Sequence, residues 1–375
     1  MAALSIYRER FACTLAHQPV DRCPIDLGGT PQSTMEDPRS ILALAEHLGL
    51  SGAPPVDYEK FDTRILEHFD IDFRRVGNLI SYATGREGAI SATERVDAYG
   101  IRYRYSGMYW DIAAPPLAGA GMDDIAAYTF PSVAQMRDDL DLYAAQAKRL
   151  HDDSPYVVVG EHPVFGVLEL ACWLCGYDHI MMMMALEPEF IHLLFGKILD
   201  FQRAILREYY GRLGPFLHLT TSGDDFGTQK GLFMSPDMWR AFVKPYLRER
   251  IIYTRQFTDA VYMHHSCGAV FDIIPDLIEI GVGILNPIQP HAAGMDPVRL
   301  KATYGNHIVF HGGLDTQEVL PSNNAAEIAT AVEHLVTCMA PRSTGGYIFA
   351  PAHNLQADVS SQAIAAMYGA VRQRF

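Results

Sequence analysis

An α/β chain folded as a single (β/α)8 barrel is the class this sequence predicts, on three observations. Short apolar runs ending in Gly, Asp, His or Pro alternate with longer amphipathic stretches, most clearly in the C-terminal half. The 375 residues, 49% hydrophobic and 20% charged, can bury one large core and require no second domain, so 1–375 is read as one unit. Polar side chains collect where the apolar runs end, the face on which barrels of this kind carry their chemistry.

In chain order, strands are expected at Cys23–Gly29, Tyr156–Glu161, Leu217–Asp224, Val261–Ser266, Gly283–Pro287, Ile308–Gly312 and Gly346–Ala350. The remaining strand falls on Phe73–Leu79, a weaker pattern because Arg74 and Arg75 interrupt it. Between strands, Glu189–Tyr210 repeats apolar residues at Phe190, Leu193, Leu194, Ile198, Phe201 and Ile205, near the helical period, with Pro188 suited to the first turn. Ser235-Pro236 and Asp296-Pro297 read as N-caps followed by proline at the first helical position. Glu87–Pro131 breaks the rhythm: Ile101, Tyr103 and Tyr105 alternate with Arg102 and Arg104, and Tyr109, Trp110 and a Pro-Pro turn follow. An inserted β-hairpin and loop is expected there, as a lid, a surface elaboration or a dimer contact. Met181–Met184 reads as adaptable apolar packing on a helix.

Composition narrows the function classes. A net charge of -14, without a Lys/Arg stripe, disfavours nucleic acid and anionic membrane surfaces as partners. The N-terminal run breaks its apolar residues with Arg8, Glu9, Arg10 and His17, so it lacks a signal-peptide core, and no apolar run approaches the ~20 residues that span a bilayer. A cytoplasmic protein is expected, its six cysteines reduced. Cys172-x-x-Cys175 lies in an apolar helical pattern without a second pair, which favours core packing over a zinc ribbon.

The strand ends carry Asp26, then Glu161-His162, Asp224-Asp225, His264-His265-Ser266-Cys267, Asn286 to Gln289, His311-Gly312-Gly313 and His353-Asn354. Alternate residues of an extended chain point the same way, so the imidazole of His265 and the thiol of Cys267 converge as zinc ligands do. By position the third ligand is His353, with Gln289 and a water or substrate atom completing the shell. By spacing alone the pair fits a buried core thiol beside a hydrogen-bonded histidine better than a metal site. Asp224-Asp225 is open between a general acid/base or substrate-orienting pair and a helix N-terminal cap.

Five blocks, SIYRERFACTLAHQPVDRCPIDLGGT, SGDDFGTQKGLFMSPDMWRAFVKPY, HHSCGAVFDIIPDLIEIGVGILNPIQP, HGGLDTQEVLP and GGYIFAPAHNLQADV, occur in order from residue 5 to residue 359. Together they resemble the uroporphyrinogen-decarboxylase-like superfamily, closest in pattern to its zinc-dependent, cobalamin/coenzyme M-type methyltransferase branch. The resemblance implies a TIM barrel with a deep cleft at its mouth, and a homodimer. The decarboxylases clamp their substrate's carboxylates with an arginine-rich loop after the first strand; here that stretch reads DLGGTPQSTME, which argues against a tetrapyrrole. The methyltransferase branch holds zinc through His-x-Cys and a later Cys; His265 and Cys267 match, and His353 stands where the later Cys is found. That exchange removes one negative charge and makes an oxygen nucleophile more competitive with a thiol.

The expected function is a zinc-dependent methyl or alkyl transferase acting on a small molecule, with a corrinoid protein as a candidate methyl donor and partner. Asp225, Glu161 and His311 are the expected catalytic residues, and Asp224, Asn286, Gln289, His162 and Asn354 the expected substrate-binding ones. The alternatives are a decarboxylase or other lyase on a small carboxylic acid and, outside enzymes, an accessory module of corrinoid metabolism.

Overall fold

The computed structural model describes residues 5–35, 37–50, 52, 61–107 and 109–374. Strand β1 is Phe73–Val76. Four short strands follow, β2 (Gly88–Ala89), β3 (Glu94–Val96), β4 (Arg102–Tyr105) and β5 (Trp110–Ala114). Six more are β6 (Val157–Gly160), β7 (Leu219–Gly223), β8 (Val261–His265), β9 (Ile284–Asn286), β10 (Val309–His311) and β11 (Tyr347–Ile348). The main sheet has seven strands in the order β1-β6-β7-β8-β9-β10-β11, every pairing parallel, with helices in the connections. Each strand therefore lies beside the preceding one of the sheet, as successive βα units require.

Two expectations change. The run expected as the first strand, Cys23–Gly29, is only a parallel bridge at Ile25 to Phe349, with backbone bonds from the Asp26 amide to Phe349 and from the Asp72 amide to Ile25. Pro24 has no amide to donate, and the Ile25 amide donates to the Asp72 carboxylate instead, so the ladder does not extend. The weaker pattern at Phe73–Leu79 does form a strand, buried throughout. Its arginines are accommodated: Arg74 donates to the carbonyls of Ile71 and Phe73 and lies over the Tyr156 ring at 3.5 Å, while Arg75 pairs with Glu161 at 3.6 Å. The segment expected as one hairpin is a four-stranded antiparallel sheet, β2-β3-β4-β5, followed by the helix Met122–Ala127. Tyr109, in the turn between β4 and β5, donates to Gln356 at 3.0 Å, which ties this sheet to the loop carrying His353.

Period-two alternation sorts the side chains of the main sheet into two levels. Phe73, Val157, Val159, Leu219, Met263, Ile284, Val309 and Ile348 pack with Phe11 in one apolar cluster. Phe11 comes from the helix Ile6–Leu15, which Ser5 starts by accepting from the Arg8 amide, and meets Phe73 edge-on at 5.6 Å. Two residues further along the same strand faces stand Arg75, Glu161, Thr221, His265, Asn286 and His311. An apolar floor thus carries a polar layer at the C-terminal strand ends. The other strand face packs on helices, the longest of which, Pro188–Leu213, buries Phe190, Leu194, Ile198, Phe201 and Ile205. Ser235 and Asp296 cap their helices through the amides of Met238 and Arg299. Among the described residues no single helix is long and apolar enough to cross a membrane.

Asp72 joins the start of the chain to β1. Its buried carboxylate accepts from Arg10 at 2.5 Å, from Arg22 at 2.7 Å and from the Ile25 amide at 2.9 Å. Asp72→Ala leaves buried guanidinium and amide donors without their acceptor and is expected to lower unfolding free energy by about 3–5 kcal/mol. A urea titration followed by tryptophan fluorescence measures it, and a loss below about 1 kcal/mol would show that the junction does not depend on this cluster.

Candidate functional site

His265 ends β8, and its ring and the Cys267 side chain meet just beyond the strand, with Nε2 3.3 Å from Sγ. His353, in the loop after β11, closes the group: the ligand atoms of His265, Cys267 and His353 all lie within 4.8 Å of one another. The donor set suits zinc, since tetrahedral coordination at about 2.0 Å to nitrogen and about 2.3 Å to sulfur separates two such ligands by about 3.5 Å. The chain turns back after Cys267 through Gly268, whose φ of +83 and 2.5 Å clearance between a notional Cβ and the Gly227 backbone admit only glycine.

Beneath this group a directed chain of hydrogen bonds runs through the polar layer. His265 Nδ1 donates to Asn286 Oδ1 at 2.5 Å, Asn286 Nδ2 donates to His311 Nδ1 at 2.7 Å, and His311 Nε2 donates to Asp26 Oδ2 at 3.0 Å. Thr30 and Ser33 donate to the same Asp26 oxygen at 2.7 and 2.6 Å. Asp26, Asn286 and His311 are fully buried. The chain fixes the His265 tautomer with its Nε2 lone pair turned toward Cys267, the arrangement that supports a ligating histidine.

A cleft of ≈ 440 Å³ opens beside the group, lined by His162, Asp224, Asp225, His265, His353 and Asn354 together with Pro31, Gln32, Phe165, Glu169, Trp173 and Gly223. Asp225 Oδ1 accepts from the Cys267 amide at 2.8 Å and lies 3.7 Å from His265 Nε2. Asn354 accepts from the Thr34 amide at 3.0 Å, tying the His353 loop to the segment after Asp26.

Four expected site residues stand elsewhere. His311, expected as catalytic, and Asn286, expected on the substrate, do not reach the cleft; they support His265 from below. Glu161, expected as catalytic, pairs with Arg75 in the polar layer. Gln289 accepts from the Gly268 amide at 2.8 Å and holds the turn after Cys267. Asp224 lines the cleft, yet its carboxylate caps the helix Val167–Cys175, accepting from the amides of Leu168 at 3.0 Å and Glu169 at 2.8 Å. Gly166 makes room for it, because a Cβ there would sit 2.1 Å from Asp224 Cγ. Burial pushes the Asp224 carboxyl up to about 6, against the pull of Arg250 and the two amides. His264, next to His265, points to the helix layer and stacks on Phe226 at 5.2 Å.

Sequence reasoning missed Glu169, Phe165 and Trp173. Their spacing of four was the available signal: Glu169 and Trp173 share one helix face, whereas Cys172 and Cys175 of the same helix face the core. Burial, then Asp224 and Asp225, hold the Glu169 carboxyl well above the usual carboxylate range, with Arg250 opposing.

A seven-stranded parallel α/β sheet with a candidate ligand cluster and cleft at its C-terminal strand ends is the class defined here, consistent with a TIM-like fold. The family model for uroporphyrinogen decarboxylase (URO-D) matches residues 115–374, and the chain belongs to this family. Among solved structures it is similar to a methyltransferase from Methanosarcina mazei, at 16% identity over 99% of both chains with a TM-score of 0.67. A weaker likeness, to xylanase 10B from Thermotoga maritima, has 10% identity over 62% of this chain and 79% of that one, with a TM-score of 0.36. No curated protein matches the chain. The family read from the five sequence blocks is thus the one found, and the fold is shared with a methyltransferase over nearly its full length.

Asp224→Ala is expected to cost about 1–2 kcal/mol, the range for losing a helix cap, and to speed hydrogen exchange at the Leu168 and Glu169 amides. Unchanged exchange at both amides would show that the carboxylate is not the cap.

Proposed function

We propose that this chain is a zinc-dependent methyl or alkyl transferase that holds its metal through His265, Cys267 and His353. The observation that carries the reading is the convergence of these three ligand atoms on a histidine already oriented by Asn286. Membership of the URO-D family and a fold shared with a methyltransferase support it. When bound, zinc supplies Lewis acidity, lowering the pKa of a thiol or oxygen nucleophile at neutral pH.

The remaining work falls to the chain's own residues. Asn286, His311 and Asp26 hold the His265 ring in one tautomer. Asp225, one-third exposed and beside His265, accepts the nucleophile's proton through the carboxylate oxygen that does not bind the Cys267 amide. The nucleophile's lone pair then forms the new bond to the alkyl carbon as the carbon–donor bond breaks, its electron pair leaving with the donor. That donor is a corrinoid protein or a small methylated compound, and His162, Asn354 and the aromatic wall position the acceptor. In this reading the chain is one domain whose barrel is completed at the eighth position by the segment around Ile25, bonded on both sides. The decarboxylase alternative has less support, because no arginine or lysine is among the cleft's described lining residues to hold a carboxylate.

Protein purified without chelator is expected to carry about one zinc ion per chain by mass spectrometry, and Cys267→Ala and His353→Ala to lose most of it. Absence of stoichiometric zinc overturns the reading. Asn286→Ala, which touches no metal, is expected to weaken zinc by roughly 10- to 100-fold in competition with a chromogenic chelator. An unaltered affinity would show that the buried hydrogen-bond chain does not tune the ligand.

A further inference from the structure

The cleft has a charge that its ligand cluster does not account for. Its described lining includes three carboxyl groups, Glu169, Asp224 and Asp225, and neither lysine nor arginine. The two buried cations of this region make their hydrogen bonds and ion pairs elsewhere: Arg75 pairs with Glu161, and Arg250 donates to Ser222, Tyr262 and the Phe165 carbonyl, its charge reaching Asp224 and Glu169 only through space. Asp224 and Asp225 are engaged with backbone amides. Glu169 differs, for it lines the cleft and its carboxyl has no hydrogen bond or ion pair among the described residues. Burial and the two aspartates disfavour its charged form, so a positive charge placed beside it relieves a repulsion already built into the wall. One turn along the helix, Trp173 also lines the cleft and meets Phe165 edge to face, with ring centroids 4.5 Å apart at 70°. Aromatic faces attract cations and offer nothing to an anion.

We infer that the cleft takes a small organic cation, a protonated or quaternary amine, with its positive group against Glu169 and the Phe165–Trp173 wall and its reacting end toward His265 and His353. The orientation of the ligand rests on the transferase reading; its charge does not. A carboxylate or sulfonate tail in the same place would meet three carboxyl groups and no lysine or arginine among the described lining residues.

A matched series of thiols separates the two. Isothermal calorimetry on zinc-loaded, full-length protein compares 2-aminoethanethiol and its trimethylammonium analogue with uncharged 2-mercaptoethanol and anionic 3-mercaptopropionate, and adds choline, which has no thiol. The ammonium thiols are expected to bind roughly tenfold tighter than 2-mercaptoethanol, and 3-mercaptopropionate more weakly than either. Glu169→Gln and Trp173→Ala, both checked for native circular dichroism and retained zinc, are expected to remove most of that preference. Binding of 3-mercaptopropionate as tight as that of the ammonium thiols, or a preference unchanged in both variants, overturns the inference. Binding of choline with no response to any thiol upholds the cation site while removing support for thiol activation at zinc. Thiol binding indifferent to tail charge does the reverse.

Discussion

Asp26 is buried without solvent contact, and the order of the strand ends follows from how one of its oxygens, Oδ2, is satisfied. Thr30, Ser33 and His311 all donate to its Oδ2. Once His311 donates through Nε2, a neutral imidazole has only an acceptor left at Nδ1, so Asn286 must present its amide nitrogen there. The Asn286 oxygen is then available only as an acceptor, and His265 must donate to it through Nδ1. Each step leaves a single option for the next, and the last leaves the His265 Nε2 lone pair facing Cys267. In low dielectric such a chain also polarises along its length, which makes the terminal imidazole the more electron-rich ligand.

The same strands provide the rigidity this requires. Met263 lies in the apolar floor and His265 two residues later in the polar layer; Ile284 and Asn286, and Val309 and His311, repeat the step on the next two strands. Parallel pairing of β8, β9 and β10 fixes the three polar groups at one height, while apolar packing below them keeps water away from the chain's interior. Reversing the Asn286 amide would turn the His265 donor toward Cys267. Burial of Asp26 and His311 therefore bears on the chemistry at Cys267, although neither touches the cleft.

Much of this was legible in the sequence because periodicity and strand ends are local signals. All seven sheet strands lie within expected runs, Phe73–Val76 within the weaker one, and the grouping of His265, Cys267 and His353 followed from alternation and position together with the family resemblance. What misled were contacts over long sequence distances. Nothing local says that Arg74 finds carbonyls and a tyrosine ring, so Phe73–Val76 looked weaker than it is. Nothing local says that Pro24 and Asp72 end the ladder at Ile25. His311 and Asn286 sit at strand ends like functional residues, but whether an inward side chain reaches the cleft or stops beneath it depends on what covers it. Asp224 offered two local readings, and only the approach of the helix at Gly166 shows that it caps.

The exchange of a thiolate for His353 is best understood together with the wall around it. On the proposed reading, a His2Cys set leaves zinc with a net positive charge, where a second thiolate would have neutralised it. The carboxylate of Asp225, 3.7 Å from His265 and held by the Cys267 amide, stands just outside the ligand set and returns a negative charge to the neighbourhood without entering the shell. Charge moved from a ligand to a neighbour leaves the metal a stronger Lewis acid yet keeps a proton acceptor at hand, which suits a nucleophile that arrives protonated. Glu169 and Asp224 line the same cleft, and burial disfavours the charged form of each, so a cation beside them stabilises that form. On the same proposed reading, a positively charged acceptor is favoured in this cleft and presents its neutral, protonated nucleophile to Asp225, whereas an anionic one is disfavoured beside the carboxyl groups.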